Sequence, residues 1–464
     1  MAPIRKLLIA NRGEIAVRIQ RAARDLGIRT VQVASEADRD MLAARMADEV
    51  IVLGPPAASK SYLAVDRLLD ALRDSGADAI HPGYGFLSEN ADFARAVTAM
   101  GRIFVGPDAD TIERMGDKVN ARQAAIAAGV PVVPGSEGRI EGLEQALSLA
   151  GEIGYPVMVK AAAGGGGRGI RVSHAAGELA AAIPTAMAEA RAGFGDPGLY
   201  LEAYVEKARH IEVQILGDGE DVIHLHEREC SLQRRRQKVW EEAPAAMLDP
   251  GLRAELCASA VRLSRAVRYR GAGTMEYLYD PKRQAFYFIE MNTRIQVEHP
   301  VTEMVTGVDL VREMLLIAGG GKLSMTQEDV RCTGHAIEVR INAENPARNF
   351  LPNPGHIETL RVPEGPGVRF DGGIYPGYRV PPFYDSLLGK LIVAGDSREQ
   401  AFDRLAAALE SLEIGPIATT AALHRALVQE PDMRAGAVST RWLEDWLEGP
   451  GVAVIAEGRR DPVA

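Results

Sequence analysis

Cysteine is scarce in this 464-residue chain, with only Cys230, Cys257 and Cys332. The three are scattered and odd in number, which excludes a disulfide framework and metal spacing and points to a reducing compartment. Long apolar runs are absent. No stretch reaches the roughly 20 residues that a membrane-spanning helix needs. The apolar part of "MAPIRKLLIANRGE" is too short for a secretory signal. Excess positive charge is also missing: the formal net charge is −10, which excludes a general nucleic-acid binder held by phosphate contacts. The first strand-to-helix turn, "ANRGEIA", lacks G-x-G-x-x-G, so no nicotinamide site is expected there. What remains is ordinary: 47% hydrophobic and 25% charged residues, the composition of a globular enzyme. The length suits two or three packed domains. A cytoplasmic location with no membrane and no nucleic-acid partner is the expectation.

The first hundred or so residues alternate in character. Short apolar runs at "KLLIA", "TVQVA", "EVIVL", "DAIHP" and "RIFVG" predict strands. Between them lie helical patterns, such as Ile15, Ile19, Ala22 and Leu26 on one face. Strand and helix in alternation predict a doubly wound parallel sheet. A helix followed by a Pro-punctuated exit, "MGDKVNARQAAIAAGVPVVPGS", marks a domain boundary. In "YPVMVKAAAGGGGRGIRVS", Gly164 to Gly169 formally match G-x-G-x-x-G, but a strand-like run follows where a dinucleotide site needs a helix. Nor does a Gly-Lys-Ser/Thr close it as a Walker loop. The stretch reads as two strands joined by a mobile glycine loop whose N–H groups can close over phosphate. From Arg331 onward, "GHAIEVRINAE", "GHIETLRV" and "YDSLLGKLIVAG" predict strands and "SREQAFDRLAAALESL" a helix. The last sixteen residues, from Gly449, read as a tail.

The stretch "IEMNTRIQVEHP", Ile289 to Pro300, places Glu290, Asn292, Arg294, Gln296 and Glu298 at alternate positions. A period of two puts all of them on one face of an extended chain. Upstream, "TMEYLYDPKRQAFYFIEMN" predicts a hairpin. If Asp280 faces Phe286, then Glu276 faces Glu290. Like charges roughly 5 Å apart destabilise a sheet unless one is protonated, both are wet, or a cation lies between them. With Asn292 they form a hard-oxygen set suited to Mg²⁺. Arg294 is a forked donor for a planar anion, and Glu298 a candidate general base. The run "RRRQK" ends in the apolar Val239 and Trp240. Cations that turn inward there need an anion such as phosphate or a small oxyanion.

Taken together, these residues resemble biotin carboxylase, the ATP-grasp component of biotin-dependent carboxylases. The resemblance runs from "IANRGEIAVRI" to about Gly415. It includes, in order, "HPGYGFLSEN", "MGDKV", "KAAAGGGGRG", "QRRRQKVWEEAP", "GAGTMEY", "FIEMNTRIQVEHPVTE", "EVRINAE" and "PPFYDSLLGKLI". It implies an α/β fold: an N-terminal parallel-sheet domain (1–117), a central ATP-grasp domain (118–330) with a glycine-rich lid at about 132–204, a mixed C-terminal domain (331–448) and a tail (449–464). It also implies that ATP phosphorylates bicarbonate to carboxyphosphate, whose carbon dioxide is captured by a ureido nitrogen of carrier-bound biotin.

Residue by residue, the resemblance assigns ATP to Lys118, Lys160, Gly166, Gly167, His210, Gln233, Arg236, Leu278 and the segment Glu202, Ala203, Tyr204 and Val205. Magnesium (or manganese) falls to Glu276, Glu290 and Asn292. Bicarbonate falls to Lys238, Arg294, Gln296 and Val297. Glu298 becomes the base, Arg340 stabilises the biotin enolate, and Tyr84 lies beside the biotin ring. Arg236 departs from the histidine common at this position. No Met-Lys-Met biotin-attachment motif is present, which implies that the biotin carrier protein and the carboxyltransferase are separate chains. A homodimer is the family expectation. The competing readings are an ATP-grasp ligase that makes an acyl phosphate without biotin, and a non-enzymatic nucleotide sensor. The "EVRINAE" segment and the Arg294–Glu298 set argue against the first, and a nucleotide-sensing or nucleic-acid-binding module would need a degraded metal or base position, of which there is none.

Overall fold

The computed structural model describes residues 4–136, 138–140, 142–161, 171–194 and 197–457. The five predicted N-terminal strands are Lys6–Ile9 (β1), Arg29–Ser35 (β2), Glu49–Gly54 (β3), Ala79–His81 (β4) and Ile103–Phe104 (β5). All pair in parallel, in the order β3-β2-β1-β4-β5. The helix Gly13–Asp25 buries Ile15, Ile19 and Ala22 as its periodicity predicts. The strand order reverses at β1, which has β2 on one side and β4 on the other. Open α/β sheets gather ligands at that point, beyond the carboxyl ends of the strands. Here the loops after β1 and β4 meet: Asn11 Nδ2 donates to the carbonyls of Pro82 (2.6 Å) and Tyr84 (2.7 Å). Gly83 makes this approach possible. Its φ is +65°, and a Cβ there would lie 2.8 Å from Asn11 Nδ2.

The helix expected across "MGDKV" is two helices, Ala109–Gly116 and Lys118–Ala127. They break at Asp117, whose carboxylate caps the second by accepting from the Asn120 N–H. Three antiparallel strands follow: Val157–Ala161 (β6), Arg171–Ser173 (β7) and Leu199–Ala203 (β8). Strands therefore flank the glycine stretch on both sides. Gly166 and Gly167 lie outside the described residues.

The largest sheet contains Arg209–Asp218 (β9), Val222–Arg234 (β10), Gln237–Ala243 (β11), Arg270–Asp280 (β12), Ala285–Asn292 (β13) and His335–Asn342 (β14). After a short pair, Glu344–Asn345 (β15) with Leu351–Pro352 (β16), and the strand Thr359–Arg361 (β17), it gains Val368–Gly372 (β18) and Leu387–Gly395 (β19). Its order is β13-β12-β9-β10-β11-β14-β19-β18. The segment from 331 onward thus shares one hydrogen-bonded sheet with the central strands through the β11–β14 ladder. Of "GHIETLRV", only β17 is a strand.

Two expectations need correction. The extended chain predicted through Glu298 ends at Asn292; a turn follows, and the helix His299–Thr306 begins directly after Glu298. The predicted tail is structured up to residue 457: Val452–Glu457 is helical, and Ile455, 1% exposed, joins the core beside Trp446, Leu443 and Leu427. Within "VAVI", Val454 and Ile455 pack on that core while Val452 and Ala453 stay exposed.

Candidate active site

A cleft of about 1520 Å³ opens between the N-terminal sheet's switch-point loops and the large sheet. It brings together Tyr84, Lys118, His210, Gln233, Arg236, Lys238, Glu276, Leu278, Glu290, Asn292, Arg294, Gln296, Val297, Glu298 and Arg340. Lys160 and the segment Glu202 to Val205 do not line it. Lys160 instead pairs with Glu202 within the three-stranded sheet, and the Tyr204 N–H donates to the Pro156 carbonyl.

Glu276 and Glu290 stand directly opposite each other on β12 and β13. The route to that register differs from the expected one. Near the turn Asp280 faces Ala285 and Tyr279 faces Phe286, and a bulge at Ile289 advances the register by one before Glu290. The two carboxyls diverge electrostatically. Burial alone would raise Glu276, but Lys238 and His210 hold it below the ordinary carboxylate value. Glu290 is raised, first by burial and then by the charge of Glu276. The Glu290 carboxylate has no ion-pair or hydrogen-bond partner among the described residues. A divalent cation at this pair would relieve the repulsion, so the donor set fits one. Asn292 donates its amide to Glu276 Oε1 (2.9 Å), and its oxygen accepts from Arg294 Nη2 (2.8 Å).

Lys238 is the electrostatic centre of the site. Its ammonium reaches Glu212 (2.5 Å), Glu276 (2.8 Å) and Glu298 (2.6 Å). Burial opposes its charge, but these carboxylates outweigh it and raise its pKa well above the ordinary lysine value. Glu298 is 2% exposed. Its burial is likewise outweighed, chiefly by Lys238, and it is held ionised below the ordinary range. Its second oxygen accepts from Arg340 Nη2 at 3.0 Å. The other side of Arg340 is gripped by Glu241, whose carboxyl burial pushes up to about 7 despite that arginine. His210 Nδ1 faces Gln233 Nε2 at 3.1 Å, and its Nε2 lies 3.3 Å from Glu276.

Several functional groups were not read from the sequence. Arg228, fully buried, donates to Glu212, Gln214, Thr274, Thr302 and Gln296. It therefore orients both an anchor of Lys238 and the side chain of Gln296. Glu212, Glu241, Glu14 and Lys390 are similar cases. Charged residues at inward positions of strands, or of a helix in the case of Glu14, are the available signal, since a buried charge requires a partner.

Opposed acidic strands, a separate small sheet carrying Lys160, and a cation-rich cleft define an ATP-grasp ligase. Three family models match the chain: "Biotin carboxylase, N-terminal domain" over residues 3–112, "Carbamoyl-phosphate synthase L chain, ATP binding domain" over 117–326, and "Biotin carboxylase C-terminal domain" over 338–445. Biotin carboxylase 1 of Bacillus subtilis is 53% identical over 444 residues, covering 96% of this chain and 99% of that protein. A pyruvate carboxylase subunit of Methanothermobacter thermautotrophicus is 47% identical over 445 residues, covering 96% of this chain and 90% of that protein. The structure of the biotin carboxylase domain dimer of Hydrogenobacter thermophilus 2-oxoglutarate carboxylase, in complex with MgADP, ADP and bicarbonate, superposes with a TM-score of 0.85. It is 47% identical and covers 97% of this chain and 99% of that one.

The chain belongs to the biotin carboxylase family. Its activity is the ATP-dependent carboxylation of biotin, the first half-reaction of a biotin-dependent carboxylase. No described helix is long and apolar enough to cross a membrane.

Proposed function

We propose that this cleft performs the reaction with the residue roles that follow, and that one observation carries the assignment. Lys238 and Arg340 converge on the two oxygens of Glu298, at 2.6 and 3.0 Å, beside the opposed Glu276–Glu290 pair. Glu298 is ionised, as a base toward bicarbonate must be, and Arg294, Gln296, Val297 and Lys238 line the same cleft and would hold bicarbonate. Arg340 would take over the negative charge of the biotin ureido oxygen once the ring nitrogen loses its proton. Tyr84 forms the opposite wall.

Glu276, Glu290 and Asn292 would hold Mg²⁺ or Mn²⁺, which when bound neutralises phosphate charge during phosphoryl transfer. Lys118, His210, Gln233, Arg236 and Leu278 line the nucleotide side. Lys160 and Glu202 to Val205 belong to a lid that completes the ATP site on closing, and Gly166 and Gly167, outside the described residues, are assigned to ATP by family likeness alone. Exclusion of water is needed there because carboxyphosphate hydrolyses readily. The three segments 1–117, 118–330 and 331–448 act as the biotin-side wall, the ATP-grasp body and the base-supporting sheet.

The reading extends to a cytoplasmic homodimer that works with a separate biotin carrier protein and a separate carboxyltransferase. Acetyl-CoA is the acceptor we favour. Relatives named for pyruvate and 2-oxoglutarate carboxylases keep those acceptors as outcomes of co-purification. The test is ADP release with free biotin and bicarbonate omitted in turn. Each omission is expected to abolish most of the turnover, and a rate indifferent to both would reject the roles assigned here.

A further inference from the structure

We infer that Lys390, anchored by Glu14, is a positioning residue for Glu298 and ties the bicarbonate side of the cleft to Tyr84 on the biotin side. This rests on the roles just proposed for Glu298 and Tyr84. In the β14–β19 ladder Lys390 sits directly opposite Arg340. Two cations opposed on one face are unfavourable unless each has its own anchor. Each has one, and they grip consecutive residues. Arg340 reaches the Glu298 carboxylate (3.0 Å), while the Lys390 ammonium donates to the carbonyl of Val297 at 2.7 Å. That carbonyl shares a planar peptide with the Glu298 N–H. Holding it fixes the direction in which the Glu298 backbone leaves the turn after β13.

Lys390 is 0% exposed, and its counter-ion is Glu14 Oε1 at 3.2 Å. The same Glu14 oxygen accepts the hydrogen bond of the Tyr84 phenol. Asn11, three residues before Glu14, holds the Tyr84 carbonyl. A buried chain of contacts therefore runs from Tyr84 through Glu14 and Lys390 to Val297. It joins "ANRGE", "HPGYG" and "LLGK", which lie far apart in sequence and, Tyr84 apart, have no assigned chemistry of their own. Its effect is to register the biotin wall against the base.

The full chain is assayed as wild type, as Lys390→Met, and as Glu14→Gln with Lys390→Met. The single variant strands a buried carboxylate and can fail to fold; the double removes both charges and keeps the bulk. In the wild type, ADP release that ignores bicarbonate and biotin would reject the underlying roles rather than the brace. With those dependences intact, the folded double variant is expected to lose roughly ten- to a hundredfold in kcat, the scale of a small misplacement of a catalytic group. Its bicarbonate KM rises while its ATP KM stays within about twofold. A folded double variant with wild-type kcat and bicarbonate KM overturns the inference. So does a loss of kcat that merely tracks the unfolded fraction with no change in any KM.

Discussion

Arg235 and Arg236 form the two-residue turn between β10 and β11, with φ of 48° and 67°. Left-handed backbone is uncommon for arginine, and Asn, Asp or Gly ordinarily fills such a turn. The turn is held from outside by Glu444, which accepts from the Arg235 N–H at 3.0 Å. Arg236 is exposed yet lines the cleft between Gln233 and Lys238. Strain kept in such a place suits a side chain used as a cation toward ATP phosphates. Arg236→His should then keep activity at mildly acidic pH, where imidazole is charged, and lose it as pH rises through roughly 6.5. Arg236→Ala should raise the ATP KM at every pH. Unaltered ATP KM and turnover in both variants would show the arginine to be a solvated turn residue. At this scale the sequence was legible where chemistry and spacing coincide, as with Glu276 and Glu290. The Ile289 bulge was not legible, because a single extra residue is set by what the sheet packs against. The pairing of Lys390 with Glu14 and Val297 was not legible, because those partners lie in distant segments.

Elements were read well where period and punctuation agreed, as in β1 to β5. The period of two was misleading after Asn292, where polar alternation continues through a turn. Glu89 holds that turn, accepting from the Thr293 N–H (3.2 Å) and Arg294 Nε (2.9 Å). Pro300 in the first turn of the helix His299–Thr306 was the available warning, since proline favours that position. Between elements, Glu242 on β11 is a junction. It accepts from Trp240 of its own strand, from His335 of β14 (2.8 Å) and from Arg398 of the helix Arg398–Ser411 (2.7 and 2.9 Å). Burial would raise this carboxyl, but the hydrogen bonds from His335 and Arg398 win and hold it at about 2, against an ordinary 4.5. A folded value below the unfolded one stabilises the fold above pH 4.5, and that stability is lost as pH falls from 4.5 toward 2. The difference corresponds to about 3 kcal/mol. Glu242→Gln should therefore lower the unfolding free energy at pH 7 and converge on the wild type as the medium is acidified. Denaturant unfolding at pH 7 and pH 3 measures this; an equal gap at both would exclude the ionised junction.

Across the whole molecule, the change of character near Arg331 suggested a boundary, and composition cannot reveal that strands on either side of it pair. They do: Trp240 faces Val339, Glu241 faces Glu338 and Glu242 faces Ile337. The core is shared too. Leu232 and Trp240 pack in one cluster with Leu391, Phe402, Leu405 and Leu427, and Ile455 closes it from the segment expected to be a tail. The geometry of the proposed site crosses the same line, because Arg340 and Lys390 hold Glu298 and Val297 from the C-terminal side. Cutting the chain after residue 330 would bare the β11 edge and the apolar face around Trp240, a combination that promotes aggregation. It would also leave Glu241 and Glu298 without Arg340. The fragment 1–330 is thus expected to bind a hydrophobic dye or precipitate, and to show no saturable ATP binding. The full chain should lose its near-ultraviolet circular dichroism and its ATP binding in one denaturant transition. A soluble 1–330 fragment that binds ATP with the affinity of the full chain would show that the ATP-binding body stands without β14 and β19, and the continuous sheet would then be a scaffold for Arg340 and Lys390 alone.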